Sequence, residues 1–370
     1  MSEQRIKVLI AEDSMVMRTL LVHLLGADPG LEVIGVVDNG QAALDFVVNR
    51  ATRPDVVLMD IHMPRLDGFE ATRRIMEAQA VPIVICTATS DPKELQIAFR
   101  SMEAGAVACV EKPVSPGHPD FDTTARNLVQ TLRLMSEVKV VRRWPRPRTS
   151  SATVATTGTY QALTTTGTHR ALAFPPVIGI GASTGGPPVL QTILSGLPKD
   201  FSAPLLIVQH IAPGFLPGLV EWLNQTTGLR VHIAAHGVLL QPGHAYIAPD
   251  DFHLGVAAGR RATLSREERE HGVRPAVAHL FRSLAQNSGQ SAIGVLLTGM
   301  GKDGALELKE MRDCGAWTIA QDRDSSVVHG MPGEAILLDA AAQVLPADRI
   351  AGALIAHVRR RGTVAGEMHP

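Results

Sequence analysis

The chain has 370 residues, of which 45% are hydrophobic and 19% charged, with a formal net charge of −1. This length predicts two domains and a linker, and the near-neutral charge gives no indication of nucleic acid or an anionic membrane surface as a partner. No apolar run is long enough to span a bilayer, so we expect a cytoplasmic protein without membrane insertion. The three cysteines are far apart in the sequence, which predicts neither a disulfide framework nor a zinc site.

Residues 1–140 alternate five times between strand-like and helix-like segments. The apolar runs predict strands, and two segments with helical spacing lie between them at 14–25 and 67–78. Regular β–α alternation with short connections predicts a doubly wound parallel sheet, in which functional residues collect at the carboxyl ends of the strands. The predicted strands are residues 7–11, 31–37, 55–60, 82–87 and 106–110.

Polar residues of a consistent kind follow these strands. Glu12 and Asp13 follow the first strand, Asp60 ends the third, Thr87 ends the fourth, and Lys112 follows the fifth. Three carboxylates at one edge of a sheet favour a bound divalent cation, and oxygen ligands suit Mg²⁺. A carboxylate beside Mg²⁺ can attack a phosphoryl group, whose oxygens a hydroxyl and an ammonium can then bind.

Residues 1–140 resemble the receiver domain of two-component response regulators, which has a flavodoxin-like fold. The resemblance implies that a histidine kinase phosphorylates Asp60 and that Thr87 and Lys112 are the switch residues. It also implies a Mg²⁺ site whose ligands are Glu12, Asp13 and Asp60.

One position departs from the receiver pattern. Receivers commonly carry an aromatic switch residue three positions before the lysine, and here that position is Cys109. The coupled movement of a threonine and an aromatic ring is therefore not expected in this chain.

Residues 141–176 have a different composition. A basic, proline-rich segment at 142–148 is followed at 150–168 by serine, threonine, alanine and glycine without apolar periodicity. Such a sequence buries too little apolar surface to fold by itself, so we expect a flexible linker.

Residues 177–370 again alternate between strands and helices, which predicts a second doubly wound, Rossmann-like α/β domain. A hairpin turn is expected at 259–260, and two helical segments are expected to close the chain. The predicted strands are residues 177–181, 204–209, 230–234, 244–247, 254–257, 292–298 and 316–320, and the predicted helices are 187–197, 216–225, 275–287 and 305–314.

The glycine-rich turn at 179–186 (GIGASTGG) allows two interpretations. Its glycine spacing loosely matches a dinucleotide-binding motif, which requires an acidic residue at the end of the next strand. The next strand ends instead in Gln209 and His210. The nucleotide-binding interpretation therefore fails its own test.

The second interpretation is hydrolysis by a serine nucleophile. A serine hydroxyl needs an imidazole that accepts its proton and a carboxylate that fixes the tautomer of that imidazole. Ser183, His210 and Asp303 follow three predicted parallel strands, so one cleft can hold all three. Taken separately, His210 would be a structural histidine and Asp303 a helix N-cap.

The second domain resembles the catalytic domain of the CheB family of chemotaxis protein-glutamate methylesterases. The resemblance implies Ser183 as nucleophile, His210 as general base and then acid, and Asp303 as the group that orients His210, with backbone N–H groups near Thr184 and Met300 as oxyanion donors. The motifs that carry it are residues 181–186 (GASTGG), 209–210 (QH), 242–249 (PGHAYIAP), 297–304 (LTGMGKDG) and 330–332 (GMP).

The resemblance also implies substrates and partners. We expect hydrolysis of glutamyl γ-methyl esters on chemoreceptor cytoplasmic domains, deamidation of receptor glutamines, and a CheA-type histidine kinase as phosphodonor. No cofactor is expected for the esterase reaction. Two alternatives remain: a response regulator whose second domain only binds a partner, and a nucleotide-dependent enzyme that binds a dinucleotide, against which the missing acid at position 210 argues.

Overall fold

The computed structural model describes residues 5–49, 52–87, 92–138, 140 and 175–366. These residues form two α/β domains, each built on a parallel sheet, as the alternating pattern of the sequence predicts. The predicted linker lies outside the described residues, except for residues 175 and 176.

The first sheet has five parallel strands in the order β2-β1-β3-β4-β5. Every residue of β3 and β4 is buried. Strands in the middle of a parallel sheet are covered by helices on both faces, so they consist of continuous apolar runs. The strands are β1 (Ile6–Ala11), β2 (Leu31–Val37), β3 (Val56–Asp60), β4 (Ile83–Thr87) and β5 (Ala108–Glu111).

Helices cover both faces of this sheet, and side-chain caps begin two of them. Ser14 Oγ accepts a hydrogen bond from the Met17 N–H, and Asp67 Oδ1 accepts one from the Glu70 N–H at 2.8 Å. Such caps satisfy N–H groups that have no partner within the helix. The helices are α1 (Met15–Gly26), α2 (Gly40–Asn49), α3 (Gly68–Ala78), α4 (Pro92–Ala104) and α5 (Phe121–Ser136).

The second domain contains a seven-stranded sheet in which all pairs are parallel, and a separate two-stranded hairpin. The strands are β6 (Val177–Ala182), β7 (Leu205–Gln209), β8 (Arg230–Ile233), β9 (His244–Ile247), β10 (His253–Ala257), β11 (Arg261–Ser265), β12 (Ala292–Leu296), β13 (Trp317–Gln321) and β14 (Gln343–Leu345). The order in the large sheet is β14-β13-β12-β6-β7-β9-β8, and β6, β7 and β12 are buried throughout.

Strands β10 and β11 form the antiparallel hairpin expected around residues 259–260. Gly259 and Arg260 have φ angles of 74° and 60°. Because Ala257 pairs with Arg261, residues 258–260 form a three-residue loop, in which Gly259 and Arg260 have the left-handed conformation.

The remaining helices of the second domain cover its sheet. The sequence predicts two closing helical segments; both are present, and the short strand β14 between them was not predicted. With three residues at the sheet edge, β14 is too short for a recognisable pattern.

None of the helices in the described ranges is long and apolar enough to cross a bilayer. The helices are α6 (Gly186–Gly196), α7 (Leu216–Thr226), α8 (Val277–Ser288), α9 (Ala305–Asp313), α10 (Met331–Leu337) and α11 (Ala347–Gly366), with a 3₁₀ turn at Gly289–Ser291.

In each sheet there is a point near the centre at which the order of the strands reverses. In the first sheet this point lies between β1 and β3, and in the second sheet β6 lies between β7 and β12. Connections leave in opposite directions at such a point, which opens a crevice outside the carboxyl ends of the strands. Both predicted sites lie at these crevices.

The two domains contact each other through helix α4 of the first and helix α7 of the second. The rings of Phe99 and Trp222 stack with their centroids 5.6 Å apart, and Trp222 Nε1 donates a 3.1 Å hydrogen bond to Glu103 Oε1. Phe99 and Trp222 are both fully buried. In addition, Val327 and Val328 of the second domain pack against the apolar core of the first.

Candidate active site and phosphorylation site

Ser183 lies on the sharp turn between β6 and α6. Gly185 has a φ of 77°, a left-handed conformation that favours glycine. At Gly186 an added Cβ would lie 2.1 Å from Gln209 Oε1, so a side chain has no space there. These two glycines therefore allow the turn on which Ser183 lies, with its side chain partly buried.

Gly179 and Gly181 serve a different purpose from the turn glycines. A Cβ on Gly179 would lie 2.4 Å from Leu284 Cδ1, and one on Gly181 would lie 2.3 Å from Val277 Cγ1. Both contacts are with helix α8, which packs directly against the backbone of β6. The beginning of α8 is thereby brought close to the residues that follow β6.

Asp303 contacts both His210 and helix α8. His210 Nε2 lies 2.9 Å from Asp303 Oδ2, an ion-pair distance without hydrogen-bond alignment. The Asp303 carboxylate also accepts hydrogen bonds from the N–H groups of Val277 (2.7 Å) and Ala278 (2.9 Å). The sequence left Asp303 as either an N-cap of the helix that follows it or a site residue. That helix, α9, begins after Gly304 without a side-chain cap, and Asp303 instead accepts from the beginning of α8.

The pKa of Asp303 is lowered from its ordinary value. Burial of this side chain opposes ionisation, but the His210 imidazole and the two N–H groups of helix α8 outweigh that effect. A carboxylate that accepts several N–H groups is stabilised in its charged form. Asp303 is therefore a permanent negative charge beside His210 at neutral pH.

Ser183 directly follows β6 and His210 directly follows β7, at the same level of the sheet. Ala182 pairs with Gln209, and the His210 N–H donates to the Ala182 carbonyl at 2.9 Å. Ser183 Oγ makes no hydrogen bond to His210 within the described chain. Contacts of this kind are commonly long in the absence of substrate and shorten when it binds.

The loop after β12 lies against Ser183. The Ser183 N–H donates a 3.0 Å hydrogen bond to the Thr298 carbonyl, so it is not available to a ligand. A Cβ on Gly299 would lie 2.7 Å from Ser183 Cβ. Met300, the next residue, is 42% exposed. The absence of a side chain at Gly299 thus brings the Met300 loop to the edge of the cleft.

Lys112 joins two carboxylates of the first domain. Its Nζ lies 2.9 Å from Asp60 Oδ1 and 3.0 Å from Glu12 Oε2. The Lys112 N–H donates to the Thr87 carbonyl at 2.9 Å, which places these two residues side by side. Together with Asp13, the predicted residues are all gathered at the carboxyl edge of this sheet.

Glu12, Asp13 and Asp60 suit a divalent cation. One carboxylate oxygen of each lies within 4.8 Å of the other two. Burial raises the pKa of both Glu12 and Asp60, and the charge of Asp60 raises that of Glu12 further, although Lys112 offsets part of both effects. Oxygen ligands crowded in this way fit Mg²⁺, whose charge would relieve their repulsion.

A second group of possible metal ligands does not suit a metal. His253, Glu270 and His279 lie close together, but both ring nitrogens of His253 are occupied. The Ala276 N–H donates to Nδ1, and Nε2 lies 3.0 Å from the Glu268 carbonyl. No lone pair of His253 is left for a metal.

Two family models match the chain. The model described as CheB methylesterase matches residues 178–354, and the one described as response regulator receiver domain matches residues 8–118. A protein-glutamate methylesterase/protein-glutamine glutaminase of Geobacter metallireducens is 52% identical over 94% of this chain and 98% of its own length. One of Syntrophus aciditrophicus is 50% identical over 97% and 99%. The chain belongs to this methylesterase/glutaminase family.

The similarity to solved structures includes the catalytic domain of Thermotoga maritima CheB methylesterase. Its crystal structure is 41% identical in sequence, with a TM-score of 0.49, and the match covers 50% of this chain and 99% of that one. The relatives quoted above cover the receiver and catalytic parts alike. Membership of the methylesterase family removes the nucleotide-binding interpretation of the 179–186 turn.

Gln209 has no predicted role in the sequence beyond its place in the motif at 209–210. In the structure its side chain is buried and donates to the carbonyls of both Ser183 and His210. A buried amide beside a predicted histidine base was a signal visible in the sequence. Its two partners could not be found without the tertiary structure.

Cys109 lies on β5, where receivers commonly carry an aromatic residue. It is partly buried and packs against the apolar core, and burial raises the pKa of its thiol. A thiol in such surroundings is a small hydrophobic group with little nucleophilic character. The effect of this substitution on switching remains a prediction.

Proposed function

We propose that Ser183, His210 and Asp303 hydrolyse glutamyl γ-methyl esters on chemoreceptor cytoplasmic domains. The observation that carries this proposal is the position of the three residues after the adjacent strands β6, β7 and β12, where the strand order of the sheet reverses. The chain's membership of the methylesterase/glutaminase family supports hydrolysis of an ester or an amide as the reaction class.

The proton transfers follow from the two nitrogens of the His210 ring. Nε2 faces Asp303, so Nδ1 is the nitrogen that accepts the proton of Ser183. The alkoxide attacks the ester carbonyl, and the tetrahedral intermediate expels methanol, which takes the proton from Nδ1. Asp303 stabilises the imidazolium that forms between these two steps.

The second half of the reaction repeats the first with water. His210 removes a proton from a water molecule, which attacks the acyl-enzyme, and collapse releases the free glutamate side chain and Ser183. A glutamine side chain follows the same route with ammonia as the leaving group. Deamidation therefore needs no additional residue.

The receiver site supplies the control. A CheA-type histidine kinase transfers its phosphoryl group to Asp60, while Thr87 and Lys112 bind the phosphoryl oxygens. Glu12, Asp13 and Asp60 would hold Mg²⁺, which neutralises charge on the transferred group. These reactions place the protein in the cytoplasm, where receptor and kinase cytoplasmic domains are accessible.

The unphosphorylated receiver restricts access to the cleft. Gln130 Nε2 of helix α5 lies 3.9 Å from Met300 Sδ, at the edge of the Ser183 site. Val327 packs against the receiver, and the same side chain would contact a Cβ on Gly185 at 2.5 Å. Phosphorylation shifts the equilibrium toward a form in which these contacts are broken.

The experiment measures methanol release from methylated receptor cytoplasmic fragments, with and without a small phosphodonor and Mg²⁺. We expect release by the wild type, an increase with phosphodonor, and loss of release in Ser183→Ala. Release that persists in Ser183→Ala would contradict the nucleophile. Absence of any release would favour a second domain that only binds a partner.

A further inference from the structure

Gln209 joins the predicted nucleophile to the predicted base through their backbones. Its Nε2 donates one 2.8 Å hydrogen bond to the Ser183 carbonyl and a second, also 2.8 Å, to the His210 carbonyl. We infer that Gln209 is a positioning residue, which directs the Thr184 N–H toward the oxyanion of the tetrahedral intermediate. This inference rests on the proposed role of Ser183.

The orientation of the Gln209 amide follows from its neighbours. Both atoms at 2.8 Å are carbonyl oxygens, which only accept hydrogen bonds, so the amide nitrogen must face them. Oε1 then faces Gly186 and has no hydrogen-bond partner in the described structure. A buried acceptor without a partner is unfavourable, so the position is not explained by stability alone.

The Ser183 carbonyl fixes the direction of the next N–H group. It accepts hydrogen bonds from Gln209 Nε2 and from the Gly186 N–H, both at 2.8 Å. In a trans peptide the carbonyl and the following N–H point in opposite directions. The Thr184 N–H therefore points away from Gln209 and Gly186.

The Thr184 N–H is the available donor at this turn. The Ser183 N–H is used by the Thr298 carbonyl, whereas the Thr184 N–H has no acceptor among the described residues. In enzymes whose nucleophile lies on a sharp turn between a strand and a helix, the N–H of the next residue donates a hydrogen bond to the oxyanion. The Thr298 hydroxyl also donates to the Thr184 carbonyl at 2.9 Å, so the peptide on the other side of Thr184 is held as well.

The test compares Gln209→Met and Gln209→Glu with the wild type in the full chain. Methionine keeps the length of the side chain and removes both donors. We expect kcat for a methylated receptor fragment to fall about 10- to 100-fold, less than for direct loss of an oxyanion donor, with KM within about twofold. Affinity for phenylboronic acid, which forms a tetrahedral adduct on a serine, should fall in parallel with kcat.

Gln209→Glu supplies a readout that a merely structural role would not move. A carboxyl group facing two carbonyl oxygens is protonated at low pH and donates one hydrogen bond. That hydrogen bond is lost when the carboxyl group ionises. We therefore expect this variant to be more active than Gln209→Met at low pH and to lose that advantage as pH rises. The activity of the wild type should not show this additional decrease at high pH.

Thr318→Val is the matched control. It removes a fully buried hydroxyl that donates to the Ala340 carbonyl and accepts from the Ala342 N–H, on β13. It should lower the unfolding midpoint without changing kcat or boronic acid affinity. Unchanged kcat and inhibitor affinity in Gln209→Met, or losses in both that Thr318→Val reproduces, would overturn the inference. Turnover that is insensitive to Ser183→Ala would instead overturn the proposed function.

Discussion

Asp303 lies 2.9 Å from His210 Nε2 and at the same time accepts two N–H groups at the beginning of helix α8. One carboxylate thus contacts the imidazole and also binds the N–H groups at the beginning of a helix that packs against the strand before Ser183. Substituting Asp303 should therefore affect both turnover and folding.

We expect Asp303→Asn to reduce kcat by about 10²- to 10⁴-fold, because a neutral amide does not stabilise the imidazolium and can select the wrong tautomer. It should also lower the free energy of unfolding by about 1–2 kcal/mol, since only one oxygen remains to accept the two N–H groups. Methanol release and urea unfolding measure the two effects. An unchanged kcat would show that Asp303 acts only as a helix cap.

Asp60 should destabilise the folded receiver in the absence of Mg²⁺. Burial raises its pKa in the folded state, so its contribution to stability is present below the unfolded pKa and is lost as pH rises through the folded pKa. At pH 7 we therefore expect Asp60→Asn to be more stable than the wild type in urea unfolding.

Mg²⁺ provides the matching measurement at Asp60. The cation should raise the melting temperature of the wild type and have much less effect on Asp60→Asn, because one ligand of the site is lost. A phosphodonor should not increase methanol release by this variant. Equal stabilisation of both proteins by Mg²⁺ would place the cation elsewhere.

Phe99→Ala should increase methanol release without phosphodonor. The ring stacks on Trp222 at 5.6 Å, and such a pair contributes about 0.5–1.5 kcal/mol beyond burial, which corresponds to about a 2- to 10-fold shift toward the open form. Val48→Ala is the control, because Val48 is exposed on helix α2. Equal rates of methanol release by both variants without phosphodonor would disprove that the contact between Phe99 and Trp222 restricts access to the Ser183 cleft.

His357 should reduce stability in mildly acidic solution. Its ring stacks on Trp317 at 4.1 Å, and burial lowers its pKa to about 4. Between pH 6.5 and 4 the unfolded chain binds a proton that the folded chain does not. The free energy of unfolding therefore decreases as the pH is lowered, by at most about 1.4 kcal/mol per pH unit.

Unfolding as a function of pH tests this prediction. His357→Phe keeps an aromatic ring on Trp317 and should reduce the slope between pH 6.5 and 4. Val48→Ala, which changes an exposed side chain without a titratable group, is the control and should leave the slope unchanged. Identical slopes for the wild type and His357→Phe would exclude His357 as the source.

The pattern of apolar and polar residues along the chain was enough to predict the two sheets and the positions of the candidate site residues in the sequence. Strands such as β3 and β6 are continuous buried runs, and a polar residue at the carboxyl end of each marks the edge where a site can form. These are local features, because they depend on the order of side chains within about ten residues.

The contacts that support those residues could not be predicted in this way. That Asp303 caps α8, that Gly181 makes room for Val277, and that Gln209 joins two carbonyls are contacts between distant parts of the chain. The docking of Phe99 on Trp222 joins two domains across a linker that carries no periodic pattern. Such contacts depend on how elements pack in three dimensions, which no single segment of the sequence specifies.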